Sequence, residues 1–134
     1  MRWTMILAAV VLVAHGLIHL MGATVYLRLG EIKGFAYKTT LLGGRWDLGA
    51  AGIGVFGALW AVAAVGFIVA AIGILTNSSW WQPVLIAVTV CSLILTALDS
   101  SLAFAGIALN IVILLALWLE WRSTTNAPRS KLST

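Results

Sequence analysis

Residues 48–75 read LGAAGIGVFGALWAVAAVGFIVAAIGIL and contain no charged side chain. An α-helix rises 1.5 Å per residue, so about 20 residues cross the roughly 30 Å of hydrocarbon in a bilayer. This stretch exceeds that length without interruption. It therefore predicts a transmembrane helix over residues 48–75.

Apolar sequence continues on both sides of this helix. Upstream, residues 3–28 form a second apolar stretch that is long enough to span a bilayer. Downstream, residues 80–121 contain about twice the number that one crossing requires. Asp99, Ser100 and Ser101 lie near the middle of this block and predict a tight turn between two helices. The predicted helices therefore cover residues 3–28, 48–75, 80–98 and 102–121.

These boundaries predict an all-α membrane protein, a four-transmembrane-helix up-down-up-down bundle that forms one domain over residues 1–121. Pro83 falls in the first turn of the third helix, where its missing N–H has no helical partner to lose. Residues 122–134 are polar and carry too little apolar content to fold, so we expect a disordered tail there.

The composition supports the same class. Of 134 residues, 62% are hydrophobic and 9% are charged, and the mean hydropathy is +1.08. A water-soluble core cannot bury that much apolar surface. The net charge of +4 comes from residues at the segment ends and forms no basic patch, which argues against nucleic-acid binding. A single cysteine allows neither an internal disulfide nor a cysteine-based metal cluster.

Flanking residues bear on orientation. Basic residues divide equally between the side of the termini and the side of the first loop: Arg2, Arg122, Arg129 and Lys131 against Arg28, Lys33, Lys38 and Arg45. Keeping a disordered tail untranslocated favours both termini in the cytoplasm, and we expect a bacterial inner membrane. Aromatic side chains mark the interfaces, Tyr26 among them, whereas Trp60 falls at mid-membrane and needs a partner or a protein interior.

The few polar residues inside the predicted helices are candidates for a site. His15 and His19 are four residues apart and share one face of the first helix. Counting 1.5 Å per residue from the loop side puts Asn110, Ser92 and Thr96 at a similar depth, with Asp99 at the mouth. We therefore predict a polar pocket open toward the loop. Its members are His15, His19, Asp99, Asn110, Ser92 and Thr96.

Several functions fit such a pocket. The two histidines supply half of a transition-metal site, or one axial ligand for haem, and a histidine with an aspartate can relay protons. Hydrogen bonds between membrane helices, each of order 1 kcal/mol, explain the same residues without any ligand, with Asp99 capping the last helix. The packing interpretation is favoured because both metal and haem need further ligands.

Small residues form rows on the second helix. Ala50, Gly54 and Ala58 recur at spacing four, with Gly57, Ala61 and Gly66 nearby. Such rows allow close approach of helix backbones, and we expect them to pack inside the bundle rather than to form a dimer face.

The segment HGLIHLMG, residues 15–22, together with Asp99, Gly106 and Asn110, resembles a group of small bacterial four-helix membrane proteins that begin with an HGLIHL-type helix. A looser similarity to DoxX-like proteins rests on size and helix number. The resemblance implies that the histidine pair, Asp99, Gly106 and Asn110 form one unit across helices one, three and four. It brings no assigned activity.

No phosphate-binding loop, Gly-x-Ser-x-Gly elbow or HExxH motif is present in the sequence. We therefore expect a multi-pass, non-enzymatic accessory or scaffold subunit without a cofactor. Its partners would be the lipid bilayer and a homo-oligomer or larger membrane complex. The alternatives are a module in which His15 and His19 bind a metal, haem or a small lipophilic ligand, and, third, a small oligomeric transporter.

Overall fold

The computed structural model describes residues 2–125, and four helices account for most of them. They are α1 (Arg2–Tyr26), α2 (Gly49–Leu75), α3 (Trp81–Leu98) and α4 (Ser100–Thr125). Each is long and apolar enough to cross a membrane. The sequence prediction of four such helices is confirmed.

The helix ends differ from the predicted ones by a few residues. The first helix ends at Tyr26 rather than at 28, and the last begins at Ser100 with an irregular turn at Ala103 (φ −112°, ψ 22°). It also continues to Thr125, so the predicted tail is wrong for residues 122–125, which are helical. Residues 126–134, the rest of that predicted tail, lie outside the described residues.

Two helices end in the same local structure. After α1 the N–H of Leu29 donates to the carbonyl of Thr24 at 2.8 Å, with Arg28 in the left-handed region (φ 57°). After α2 the N–H of Ser78 donates to the carbonyl of Gly73 at 3.0 Å, with Asn77 left-handed (φ 51°). Both are Schellman motifs, which satisfy carbonyl groups at a helix end.

The segment between α1 and α2 is folded, which the sequence did not predict. Its two short antiparallel strands are β1 (Thr40–Leu41) and β2 (Trp46–Asp47), joined through a 3-10 turn at Leu42–Gly44. Leu41 is completely buried and belongs to the hydrophobic core, and the turn contacts α4. This loop is therefore anchored on the helices.

The helices pack in chain order, α1 on α2, α2 on α3 and α3 on α4. Glycines permit close approach at these contacts. A Cβ on Gly22 of α1 would overlap the Trp60 ring of α2, and a Cβ on Gly66 of α2 would lie 2.6 Å from a methyl group of Val88 on α3.

The row of small residues at Ala50, Gly54 and Ala58 does not pack inside the bundle. Ala50 and Ala58 are exposed, and a Cβ on Gly54 would meet no atom within 4 Å. The expectation of intramolecular packing is therefore wrong for this row. It holds for Gly57, where a Cβ would lie 2.8 Å from Tyr26, because that glycine lies on the face of α2 that meets α1.

Candidate functional site: a buried hydrogen-bonded cluster

The two histidines of α1 lie on the face of that helix that is turned into the bundle. Each is 1% exposed. Their rings meet edge to face with centroids 4.7 Å apart, as the four-residue spacing predicts. On α2, Phe67 contacts both imidazoles and Trp60 lies beside His19 at 5.0 Å between ring centroids. The imidazoles are thus walled by aromatic rings on the α2 side.

His19 is hydrogen-bonded through both ring nitrogens. Its Nδ1 lies 3.0 Å from the backbone carbonyl of His15. Because a carbonyl only accepts, Nδ1 carries the hydrogen and donates it. Nε2 lies 2.8 Å from the hydroxyl of Ser92 on α3. In a neutral ring protonated at Nδ1, Nε2 is the acceptor, so Ser92 donates to it.

Asn110 of α4 connects three helices. Its amide nitrogen donates to the hydroxyl oxygens of Ser92 at 2.8 Å and Thr96 at 3.4 Å, both on α3. Its amide oxygen lies 3.1 Å from Nε2 of His15 on α1 and accepts from it. Asn110 and Ile113 are the buried residues of α4 within the part of the helix that is described. The amide is therefore the main polar attachment of α4 to α1 and α3.

Thr96 completes the group from its own helix. Its hydroxyl donates to the carbonyl of Ser92 at 2.8 Å and receives the amide hydrogen of Asn110. His15, His19, Ser92, Thr96 and Asn110, referred to below as the polar cluster, are each 1% exposed or less. The sequence analysis predicted a pocket that is open toward the loop. The cluster is instead buried, and its members are hydrogen-bonded to one another.

Asp99 does not belong to this cluster. One carboxylate oxygen accepts from the hydroxyl of Tyr26 at the end of α1, and the other from the ammonium group of Lys38 in the loop at 2.6 Å. Lys38 also donates to the hydroxyl of Ser101 at 3.1 Å. The carboxylate therefore does not cap α4, and the expectation that Asp99 converges with the imidazoles is wrong. It forms a second polar group at the turn between α3 and α4.

Sequence analysis missed the two partners of Asp99. Tyr26 was expected at a membrane interface, but it is 1% exposed and its ring packs against Phe35, Phe56 and Trp60. Lys38 was counted only as a loop charge. Lys38 and Asp99 are 61 positions apart and meet only because the folded loop lies over the helix turn, for which the sequence carries no local signal.

Two buried polar atoms have no hydrogen-bond partner among residues 2–125: Nε1 of Trp60 and the hydroxyl oxygen of Thr89. Trp60 does lie in a protein interior, one of the two environments expected for it, since it is 2% exposed. Its indole ring fills the space left by Gly22 and packs beside His19.

A metal ion bound by both histidines would have to break existing bonds. Three of the four imidazole nitrogens, all except Nδ1 of His15, take part in hydrogen bonds to other groups of the protein. Within residues 2–125, no group of three or more His, Cys, Asp or Glu side chains is placed to hold a metal. Cys91, the one thiol, is half-buried and free. The polar cluster is arranged for hydrogen bonding between helices.

Asp47 and Arg45, in the loop before α2, are exposed. The Asp47 carboxylate accepts from the N–H of Gly49 at 2.9 Å, at the start of α2. This hydrogen bond, with a contribution from the Thr39 hydroxyl, holds the pKa of Asp47 below its ordinary value. Asp47 therefore makes a local hydrogen bond at the start of α2 and is not part of the buried cluster.

The fold and the cluster define a class of protein, a four-helix bundle of apolar helices joined internally by a small hydrogen-bonded network. No protein-family model matches the chain, and comparisons with curated proteins and with solved structures find no similar protein. The functional argument therefore rests on the geometry.

Proposed function

We propose that the chain is a multi-pass membrane protein whose four helices cross the bilayer in alternating directions. Its surface supports this proposal, because large apolar side chains are exposed along the length of the helices, where water would be unfavourable. Examples are Leu7, Val10, Val55, Val62, Val65, Ile72, Ile94, Val112 and Leu115. The polar side chains in the middle of these helices, His15, His19, Ser92, Thr96 and Asn110, are buried, as lipid requires.

The order of the contacts supports the alternation. Gly16 of α1 approaches Ala64 of α2, whereas Gly22, farther along α1, approaches Trp60, which is earlier on α2. Residue numbers therefore rise along one helix as they fall along the other. The same relation holds between α2 and α3, where Gly66 approaches Val88 and Gly73 approaches Trp81.

Within the membrane the protein acts as a non-enzymatic accessory or scaffold subunit. One observation carries this proposal: the hydrogen bonds of the polar cluster run between its own members, which lie on three different helices. Bonds of this kind between membrane helices contribute of order 1 kcal/mol each and fix how helices sit against one another. The cluster thus holds a rigid bundle together. Placement in a bacterial inner membrane, among proteins with an HGLIHL-type first helix, belongs to the same proposal.

Membrane insertion is tested by alkaline extraction of membranes from expressing cells. The account expects the protein to stay in the pellet. Single cysteines introduced at Arg45 and Ser123 of a Cys91→Ala variant should label with an impermeant maleimide from opposite sides. Recovery in the soluble fraction, or labelling of both positions from one side, would contradict the proposed topology.

The scaffold role is tested with two variants, one that removes an imidazole but keeps its hydrogen bond and one that removes the hydrogen bond. His15→Gln can still donate to Asn110, whereas Asn110→Leu cannot accept. In the native host, the protein should migrate on native gels in an assembly larger than one chain. This assembly should persist in His15→Gln and be lost or weakened in Asn110→Leu. Migration of the wild-type protein as a single chain would overturn the subunit role.

A further inference from the structure

An open cleft of about 870 Å³ lies outside the polar cluster, between the end of α1, the following loop and the start of α4. Its walls come from residues 25–37, without Tyr26, Leu27 and Lys33, and from Leu102 of α4. Sites for small molecules commonly measure about 300 to 1,000 Å³. The cleft is therefore large enough for the headgroup and upper chain of an amphiphile.

Two opposite charges line this cleft. They are Arg28 and Glu31, and both side chains are exposed. Among residues 2–125 the one salt bridge is Lys38–Asp99. Within that range, Arg28 and Glu31 therefore form no salt bridge with each other or with another residue. A ligand that carries both a positive and a negative group could satisfy the two together.

Arg28 is held in place by an aromatic ring. Its guanidinium carbon lies 4.4 Å from the centroid of the Tyr37 ring. A stacked guanidinium keeps its edge N–H groups free to bind an anion, and arginine suits the geometry of phosphate. Arg28 covers one face of Tyr37, so a ligand cation cannot stack on that face. The cationic group of a ligand would therefore bind to Glu31.

The rest of the cleft is apolar. Leu29 is 75% exposed and Leu102 is 41% exposed, at the ends of α1 and α4 that would lie at the membrane interface. We propose that this cleft binds a bilayer phospholipid whose zwitterionic headgroup carries a primary ammonium, with Arg28 on the phosphate and Glu31 on the ammonium. The acyl chains then run past Leu29 and Leu102. The inference rests on the proposed membrane insertion.

The same charges distinguish this lipid from others. An anionic lipid without an ammonium group leaves Glu31 unpaired and is repelled by it. A choline headgroup has no N–H to donate to the Glu31 carboxylate, and the Tyr37 face is already covered by Arg28. Phosphatidylethanolamine satisfies both charges with hydrogen bonds.

Native mass spectrometry of the detergent-purified protein measures this preference. We expect phosphatidylethanolamine to bind at least about fivefold more tightly than phosphatidylglycerol or phosphatidylcholine. Arg28→Gln and Glu31→Gln should each weaken that binding about tenfold, because the loss of one hydrogen bond to a charged group lowers affinity by about that factor. Arg28→Lys keeps the charge but loses the stacked, planar group, so it should recover only part of the affinity. Glu31→Gln should also shift the preference toward phosphatidylglycerol, because it removes the repulsion.

Matched controls come from the same loop. Lys33→Gln and Arg45→Gln remove loop cations that do not line the cleft, and both should leave the affinity within about twofold of wild type. An equal loss in Arg28→Gln and Lys33→Gln, with unchanged melting midpoints, would overturn the proposal, as would tighter binding of phosphatidylglycerol by wild type.

Soluble phosphoethanolamine tests the source of the headgroup. It should not compete at millimolar concentration, since it lacks the acyl chains. Full displacement of the phospholipid by phosphoethanolamine would assign the cleft to a soluble ligand and overturn the proposal of lipid binding. Alkaline extraction separates a failure of the lipid proposal from a failure of membrane insertion. A protein that stays in the membrane but shows no headgroup preference would contradict lipid binding in the cleft and leave membrane insertion intact.

Discussion

Asn110 and His15 are 95 positions apart in the chain, and the amide oxygen of one accepts a hydrogen bond from Nε2 of the other at 3.1 Å. The bond joins α4 to α1, two helices that are not neighbours in the order of packing. Through Ser92 and Thr96 the same amide also holds α3. A single carboxamide thus joins three helices of the bundle.

Replacing this amide should destabilise the bundle. Asn110→Leu leaves the His15 N–H without its acceptor in a buried place, and we expect the free energy of unfolding to fall by about 1 to 3 kcal/mol. Unfolding in detergent micelles, followed by circular dichroism during denaturant titration, measures the change. Val112→Ala, on the exposed face of the same helix, should have little effect. Equal stability of Asn110→Leu and wild type would show that the amide does not hold the helices.

The ion pair at the α3–α4 turn should couple the loop to the bundle. Lys38→Gln leaves the buried Asp99 carboxylate with Tyr26 as its remaining side-chain partner. We expect the free energy of unfolding to fall by about 1 to 3 kcal/mol, a modest value because Lys38 is partly exposed. The double variant Lys38→Gln/Asp99→Asn should lose less than the sum of the two single variants. Strict additivity would contradict a direct interaction. Lys33→Gln is the control.

Gly66 should tolerate no side chain. A Cβ there would lie 2.6 Å from Val88, so Gly66→Ala must push α2 and α3 apart, and overpacking of this kind costs about 1 to 3 kcal/mol. Gly54→Ala on the same helix meets nothing and should be neutral or slightly stabilising, since alanine favours the helix. Thermal melting in detergent compares the two. A lower midpoint for Gly54→Ala than for Gly66→Ala would refute the described α2–α3 contact.

The purified protein should carry no stoichiometric transition metal and no haem, because the imidazole nitrogens are largely used in hydrogen bonds. Metal analysis and a visible spectrum test this. A Soret band, or a bound metal that disappears in His15→Ala and His19→Ala, would overturn the packing role and restore the binding alternative.

Much of the fold could be predicted because its signals are local. The second helix ends at Leu75 and the third at Leu98, as predicted, since polar residues interrupt the apolar sequence at those points. The meeting of His15, His19, Ser92 and Asn110 followed from counting depth along each helix. That count works because a polar side chain inside an apolar helix is costly unless it finds a hydrogen-bond partner at the same depth.

The rest depended on tertiary structure. Thr40 and Asp47 pair across a hairpin whose turn places Leu42 at a positive φ of 53°, a conformation that leucine rarely adopts. Depth counting placed Asp99 correctly at the loop end but gave no partner for it. Its partners come from a helix end and a loop, and the path of that loop depends on packing contacts such as that of Leu41.

The central claim is that the two imidazoles serve as fixed hydrogen-bonding groups inside the bundle. Nitrogen-15 NMR of histidine-labelled protein in lipid bilayers tests it most directly. The account predicts one protonated nitrogen in each ring, Nδ1 in His19 and Nε2 in His15, with the His15 signal shifted in Asn110→Leu. Rings that average between tautomers, as free imidazoles do in water, would contradict it.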